Sequence, residues 1–398
     1  MPRLVWTLGW VSLLMDISSE MIHGLLPVYL FTVLGASATL IGLIEGIAEA
    51  TASITKIFSG TLSDWLGRRQ LLTAIGYGLS ALTKPIFPLA SGIGALVIAR
   101  FLDRIGKGIR GAPRDALITD ATPAEIRGAA FGLRQSLDTV GAFVGPLLAL
   151  GIMAATANSF RTVFWIAVIP AFASFALVAF AVRDVPRAPV SDAAVTAKSA
   201  APFRLASAKQ LPGAYWLVVA LGMLLTIARI SEAFLLLRAQ QLGLAVALSP
   251  LVLIAMNIVY AAGAYPIGLL GDSFSKRGLL IAGSIVLIAS ELLLSQANGL
   301  ALAGAGVILW GLHMALTQGL LAALVADTAP AALRGTAFGL FNLLTGLAML
   351  AAGVVAGRLW DAYSSRVTFL VGAALAGLVC FGLLAIRPNS THTTRLAH

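Results

Sequence analysis

The chain has 398 residues, of which 59% are hydrophobic and only 11% are charged, and its formal net charge is +10. A protein of this size with so few polar residues would not be soluble in water. The composition therefore excludes a soluble globular protein. The apolar runs are continuous and rich in glycine, whereas the strands of a membrane barrel alternate apolar and polar residues. The composition therefore predicts an all-α membrane protein.

Twelve apolar stretches are each long enough, at roughly 20 residues, to cross the hydrocarbon core as a helix. In chain order these spans lie near 5–31, 38–60, 70–90, 93–115, 127–155, 160–182, 213–237, 246–270, 278–296, 300–326, 334–356 and 367–386. The first contains Asp16 and Glu20 and is not followed by a cleavage site of small residues. It is therefore predicted to be a spanning helix and not a signal peptide.

A repeat divides the chain into two similar halves. Residues 120–133, DATPAEIRGAAFGL, are matched 207 residues later by residues 327–340, DTAPAALRGTAFGL, with nine of fourteen positions identical. Such a repeat indicates two copies of one structural unit. The predicted domains are six-helix bundles at 1–183 and 212–387, a linker at 184–211 that is rich in Ala, Pro and Ser, and a tail at 388–398.

The basic residues between the spans predict the orientation. Arg68, Arg69, Lys276 and Arg277 lie on one side together with the linker, whereas the opposite loops near 32–37, 156–159 and 297–300 contain no Lys or Arg. Arg238, Arg358 and Arg366 are exceptions. By the positive-inside rule both termini are predicted to be cytoplasmic, in a bacterial inner membrane. The positive charge thus reflects topology, and we expect a monomer in the lipid bilayer with no nucleic-acid partner.

Residues 60–69, GTLSDWLGRR, join spans two and three. Together with the two six-helix repeats, this phrase resembles the signature loop of the major facilitator superfamily. The matching residues are Gly60, Leu62, Asp64, Gly67, Arg68 and Arg69, and the second copy is degraded to Gly268, Gly271, Asp272, Lys276 and Arg277. The resemblance implies two pseudo-symmetric bundles that rock about a site near the membrane midplane. We expect Gly60, Asp64, Gly67, Arg68 and Arg69 to latch the bundles; the alternative is a role in topology and helix ends alone.

Span five contains Gly132, Gly141 and the pair Gly145-Pro146. This spacing resembles the glycine-proline signature of antiporters in the superfamily, although its closing glycine pair is here Ala149-Leu150. A glycine face permits close packing and a proline bends a helix. We therefore expect Gly141, Gly145 and Pro146 to take part in gating, and the resemblance favours export in exchange for protons.

The halves differ most in span four. Residues 100–115 read RFLDRIGKGIRGAPRD, whereas the equivalent residues 307–322 read VILWGLHMALTQGLLA. The basic residues of the first copy recur every three to four positions and so form one stripe along a helix. A charge at the bilayer midplane costs about 2.5 to 3.5 kcal/mol on insertion scales. The stripe must therefore line an aqueous cavity or meet acidic partners.

Acidic residues lie on the neighbouring spans. Span one contains Asp16, Glu20 and His23 on one helical face, and span seven contains Glu232 three residues after Arg229. The resemblance implies that spans one, four, seven and ten line the cavity. Arginine offers a fork of donors that matches carboxylate or phosphate, whereas burial favours the protonated form of a carboxylate.

Candidate roles follow from this chemistry. The predicted substrate-binding residues are Arg100, Arg104, Lys107, Arg110, Arg229 and His313, and the predicted proton-coupling residues are Asp16, Glu20, Asp103 and Glu232. The alternative is an ion-pair network that only holds the first bundle together.

The sequence thus predicts a transporter that exports a small anionic or zwitterionic organic solute in exchange for protons. The alternatives are a multidrug/proton antiporter, a carrier of a metal or a siderophore-type metal chelate, and a non-transporting membrane sensor. No spacing typical of nucleotide binding or nucleophilic catalysis is present, so we expect neither an enzyme nor a cofactor. The single cysteine, Cys380, excludes an intrachain disulfide and argues against a resident metal.

Overall fold

The spans fold as helices because a chain segment in hydrocarbon must satisfy its own backbone hydrogen bonds. The computed structural model describes residues 1–66, 68–184, 205–273, 275–330 and 333–385. The predicted all-α fold with twelve spans is confirmed.

Spans one to six comprise Arg3–His23 with Leu26–Thr32, Ala38–Leu66, Arg69–Thr83 with Ile86–Leu89, Ile93–Ala121, Arg127–Ala155 and Phe160–Ala181. Spans seven to twelve comprise Gly213–Ala228 with Glu232–Gln241, Pro250–Ser273, Lys276–Gln296, Leu300–Thr328, Arg334–Ala362 and Ser365–Ala385. Short 3-10 helices lie at Ala124–Ile126, Leu205–Gln210 and Val246–Leu248.

Three spans consist of two helices. In spans one and three the second helix begins next to a proline, Pro27 or Pro85, which cannot donate a backbone hydrogen bond. Span seven is interrupted at Arg229–Ser231 without a proline, and the Ser231 hydroxyl caps its second helix by accepting a hydrogen bond from the Ala233 amide at 3.4 Å. Non-helical backbone at membrane depth is tolerated where it lines a cavity. This interruption therefore indicates that a cavity lies beside span seven.

Spans three and four differ from the others in composition. Among the described residues ten helical stretches are long and apolar enough to cross a membrane, and these two spans are not among them. The first helix of span three has only 15 residues, and span four carries the basic stripe. Span four also extends to Ala121, past its predicted end at 115, and Leu117 and Ile118 of its last turns are buried. The charged face of span four must therefore be shielded from lipid by its neighbours, whereas apolar side chains such as Leu82 of span three and Ile98 of span four are exposed on the outer surface.

The packing of the helices follows the repeat. Span one packs on spans five and six, and span four on spans two and three, while in the second half span nine packs on spans ten and twelve. The halves meet chiefly where span two packs on span eleven and span five on span eight. The predicted domain boundaries stay a prediction, since residues 185–204 and 386–398 lie outside the described residues.

The repeat also preserves an ion pair in each half. Arg69, at the start of span three, pairs with Asp120 near the end of span four. At the equivalent positions Lys276 pairs with Asp327, with 2.6 Å between Nζ and Oδ2. Each pair joins two helices of the same half and not the two halves.

The halves are in close contact on the side opposite the two chain ends, which we call the far side. A side chain at Gly42 of span two would overlap the carbonyl oxygen of Gly353 in span eleven. Asp361, near the end of span eleven, accepts hydrogen bonds from the backbone amides of Ala38 at 3.0 Å and Thr39 at 2.8 Å. It thereby caps the first turn of span two from the other half. Asp361 thus closes the far side.

Replacing Asp361 by Ala should therefore open the far side more often. A helix cap contributes about 1 kcal/mol, which corresponds to about a fivefold shift between closed and open forms. We expect a cysteine placed at the buried Ala356, in a chain whose Cys380 is replaced by Ser, to react about five times faster with a water-soluble maleimide in the Asp361→Ala background.

Asp184→Ala is the matched control, because Asp184 accepts a hydrogen bond from the Gln70 amide within one half. Equal labelling rates in the two backgrounds would contradict a far-side role for Asp361.

Candidate functional site

Three adjacent cavities lie at the centre of the protein among the described residues, the first two between the halves and the third within the second half. The first, of about 740 Å³, is walled by spans one, two, four, five and eight. The second, of about 290 Å³, shares Glu20, Glu49 and Lys107 with it and reaches the interruption in span seven. The third, also about 290 Å³, shares Thr226, Arg229 and Met349 with the second and lies among spans seven, ten and eleven. We call this set the central cavity.

Arg100, a predicted substrate contact, is neutralised by the protein itself. Its Nη2 lies 2.8 Å from Oε2 of Glu45 and 2.6 Å from Nδ1 of His23, and only 2% of the residue is exposed. It forms no part of the walls of the central cavity. Removing one partner of a buried ion pair leaves an uncompensated charge. Arg100 therefore has a structural role in joining span four to spans one and two.

Two further basic residues of span four reach the walls but already have partners. Arg104 pairs with Glu49 of span two, with 3.2 Å between Nη1 and Oε1, and lies in the wall of the second cavity. Arg110 lies in the wall of the first, donates to the Ser80 hydroxyl at 2.5 Å and places its guanidinium 4.7 Å from the centre of the Tyr77 ring. The stripe thus both lines a cavity and meets acidic partners.

Asp103, a predicted proton-coupling residue, lies outside the cavity walls. Its Oδ1 accepts from Nζ of Lys84 at 3.1 Å, and both side chains are buried. Lys84 also donates to the Ser19 hydroxyl at 3.1 Å, so the pair ties span three to span one. Sequence reasoning missed Lys84, although a lysine beside a proline inside an apolar span was a signal for a buried partner.

A different set of charges has no ion pair or side-chain hydrogen bond among the described residues. Asp16 and Glu20 of span one lie in the wall of the first cavity, as do Lys56 of span two and Lys107 of span four. Arg229 lies where the second and third cavities meet. These residues carry charge into the central cavity without a fixed partner, so they are available to a ligand or a proton.

The glycine face of span five determines where the two free carboxylates lie. A side chain at Gly141 would lie 2.8 Å from the carbonyl oxygen of Leu13 and 3.0 Å from Cβ of Asp16. One at Gly145 would lie 2.8 Å from Cβ of Glu20. Span one can therefore approach span five only because both positions lack a side chain. Pro146 is buried in the same helix.

His23 links the two halves beside these carboxylates. Because a guanidinium only donates, Nδ1 of His23 accepts from Arg100, and its Nε2 lies 3.7 Å from Oε2 of Glu232 in span seven. Glu232, a predicted proton-coupling residue, thus lies in the wall of the second cavity and joins a chain that runs Glu45, Arg100, His23, Glu232. This chain crosses from one half to the other.

His313 of span ten lies in the wall of the third cavity and is fully buried. Its Nδ1 lies 2.8 Å from the carbonyl oxygen of Gly283 in span nine. Its Nε2 has no hydrogen-bond partner among the described residues. The structure thus places this predicted substrate contact at the cavity, with one nitrogen used structurally.

The signature loop is described only in part. The side chain of Asp64 and all of Gly67 lie outside the described residues. Gly60 faces Ala112 of span four, and Arg69 forms the ion pair with Asp120 given above. Arg68 precedes the first turn of span three without a side-chain cap. Their role as a latch stays a prediction.

No group of three or more His, Cys, Asp or Glu residues in the described chain is arranged to hold a metal ion. Asp16 and Glu20, two members of the trio on span one, lie in the wall of the first cavity, whereas His23 binds Arg100.

Comparison with known families agrees with this architecture. Residues 8–353 match the family model described as Major Facilitator Superfamily. The chain belongs to the major facilitator superfamily. The family is one of membrane transporters, so this chain is a multi-pass transporter of small solutes.

Its relatives match along nearly the whole length. The chain is 33% identical over 392 residues to an MFS-type transporter of Methanocaldococcus jannaschii, covering 96% of this chain and 94% of that protein. It is 26% identical over 395 residues to the inner membrane transport protein YajR of Escherichia coli, covering 94% and 81%. Its fold is similar to that of the nucleoside transporter NupG, with a TM-score of 0.80, 15% identity and coverage of 96% and 99%.

The Gly145→Ala variant tests the packing that holds Glu20 in place. Overfilling a packed contact costs about 1 to 3 kcal/mol, so we expect a lower melting temperature in detergent and weaker transport. Gly151→Ala, in the same helix, is the control, because a side chain there meets no atom within 4 Å. If the two variants melt alike, span five does not determine the position of span one.

Proposed function

We propose that this chain exports a small zwitterionic organic solute in exchange for protons, by alternating access. The observation that supports this proposal is the composition of the central cavity. Its walls, which come from both halves, contain carboxylates and cations that have no ion pair among the described residues. Asp16 and Glu20 supply the negative charge, and Lys107 and Arg229 the positive charge. A zwitterion presents the two complementary charges.

The amino group of such a solute would bind Asp16 and Glu20, which lie on one face of span one. Its carboxylate or phosphate would bind Lys107 and Arg229, which come from different halves. A ligand held by both halves favours the arrangement that brings them together, which is how binding can drive the rocking motion.

Proton coupling follows from the same carboxylates. The charged neighbours of Asp16 are Asp138, Arg110, Lys107 and Glu20. When Asp16 and Glu20 are ionised they attract an ammonium group, and when they are protonated that attraction is lost. Solute and proton therefore exclude each other, which is the requirement for exchange.

The direction of transport rests on the exchange and on the proton gradient across the membrane. With the termini in the cytoplasm of a bacterial cell, protons would enter down their gradient across the inner membrane and the solute would leave. The excess of basic residues on the termini side supports this orientation. Span one begins on the side opposite the far side, and spans two and four end there. Lys56 and Arg114, in the wall of the first cavity, lie toward those ends of spans two and four.

A purely anionic solute is the second candidate, favoured by Lys56, Lys107 and Arg229, which have no ion pair among the described residues. Its coupling would have the opposite sign, because protonation of Asp16 and Glu20 removes negative charge from the site. A multidrug carrier of cations is less favoured, since the wall of the first cavity contains Lys56, Lys107, Arg110 and Arg114.

The pH dependence of binding separates the two candidates. With leucine as zwitterion, N-acetyl-leucine as anion and leucine methyl ester as cation, we expect purified protein to bind the zwitterion best. Its affinity should fall as the pH falls, because protons compete for the carboxylates. Asp16→Asn should weaken this dependence, because Glu20 still remains, and Lys107→Gln should weaken binding by about tenfold.

Asp184→Asn, a carboxylate change outside the cavity, is the control and should leave the pH profile unchanged. Affinity that rises as the pH falls would favour the anion instead. In proteoliposomes the favoured solute should drive proton flux; flux with the cation alone would exclude both candidates.

A further inference from the structure

The third cavity has a chemistry unlike that of the other two. Among the described residues, the polar side chains of its wall come from Thr226, Arg229, His313, Thr317, Asn342 and Thr345, and none of them is a carboxylate. We propose that it binds uncharged hydroxyl groups of the transported solute. The inference rests on the proposed function, because it states where the uncharged part of the zwitterionic solute binds.

The first observation concerns His313. The Gly283 carbonyl can only accept, so the nitrogen that faces it, Nδ1, must carry the ring hydrogen. In the neutral ring the other nitrogen, Nε2, is then a pure acceptor. It is buried and has no hydrogen-bond partner among the described residues, although an unsatisfied buried acceptor is costly. A ligand that donates a hydrogen bond would satisfy it.

The second observation concerns three threonines in the same wall. Each hydroxyl donates to a carbonyl of its own helix: Thr226 to Gly222 at 2.8 Å, Thr317 to His313 at 2.9 Å and Thr345 to Phe341 at 2.7 Å. A hydroxyl has one hydrogen and two lone pairs. With the hydrogen used, each oxygen can offer only acceptors to the cavity. The three threonines and His313 thus form a cluster of acceptors.

The third observation excludes a cationic donor. Arg229 lies in the wall of this cavity, and its guanidinium, 5.8 Å from the centre of the Trp310 ring, has no ion pair among the described residues. A second cation beside it would be repelled. The acceptors therefore match neutral O–H groups and not an ammonium group.

The size and the remaining wall fit a part of a solute. Leu225, Leu321, Phe341 and Met349 supply apolar surface for a carbon skeleton. A volume of about 290 Å³ lies at the lower limit for a whole ligand pocket. Because Arg229 also lines the second cavity, a solute whose anionic group is bound there can place its hydroxyl end in the third.

The repeat shows how this site differs from its counterpart. With the offset of 207 residues, His313 stands where the first half has Gly106, and Thr317 stands where it has Arg110. Gly106 packs closely on the carbonyl oxygen of Gly76, the equivalent of Gly283. The first half thus presents no side chain at the first of these positions and a charge at the second, whereas the second half presents a neutral acceptor at both. The solute is inferred to be charged at one end and hydroxylated at the other.

Homoserine and norvaline test the inference, because they are zwitterions of equal size that differ in one hydroxyl. We expect purified protein to bind homoserine about tenfold more tightly. Thr345→Val and His313→Phe should remove this preference by weakening homoserine binding more than norvaline binding, and His313→Gln, which keeps an acceptor, should retain part of it. Thr119→Val is the matched control. The Thr119 hydroxyl also donates within its own helix, to the backbone carbonyl oxygen of Asp115 at 2.9 Å, but it lies outside the cavity walls.

Equal binding of the two zwitterions, or an equal loss of both in the variants, would overturn the hydroxyl site and leave the proposed function standing. If neither zwitterion binds, the proposed charge recognition fails, and the neutral polyol xylitol then decides the site by itself. Xylitol binding that is lost in Thr345→Val and kept in Thr119→Val would support it, and no xylitol binding would overturn it.

Discussion

A charge placed in hydrocarbon must be paired or must face a cavity, and the structure of this transporter depends on that constraint. Span four carries a row of basic residues that lipid would not tolerate. The protein meets the constraint in two ways at once. Arg100 and Arg104 pair with Glu45 and Glu49 of span two, whereas Lys107 faces the cavity. Span four is consequently the span that its neighbours must enclose, and the cavity forms around it.

Buried ion pairs and unpaired charges therefore have different roles, the first in packing and the second at the cavity. Lys84 with Asp103 joins spans three and four, and Arg100 with Glu45 joins spans four and two; removing one partner of either pair would leave an uncompensated buried charge. The unpaired charges lie in the walls of the central cavity, where a ligand can reach them. This division explains how one bundle can contain so many ionisable residues and still offer a binding site.

Close packing sets the geometry in which those free charges act. Gly141 and Gly145 allow span one to approach span five, which places Asp16 and Glu20 at the cavity wall. On the far side, Asp361 joins the halves through the first turn of span two. The movement expected of this family would thus take place between glycine-packed helices, with a cap worth about 1 kcal/mol between the halves.

The sequence by itself determined the membrane class, the twelve spans, the two-fold repeat and the location of the ionisable chemistry in the first half. Each of these depends on local composition or on spacing along one helix. Only the tertiary structure decided which charges are free. Arg100 and Lys107 share one stripe, yet Glu45 of another span neutralises the first and nothing described neutralises the second. The partners of Asp103 and the acceptor cluster around His313 were likewise beyond the sequence, because a pairing between helices depends on their relative rotation, which periodicity within a single helix does not contain.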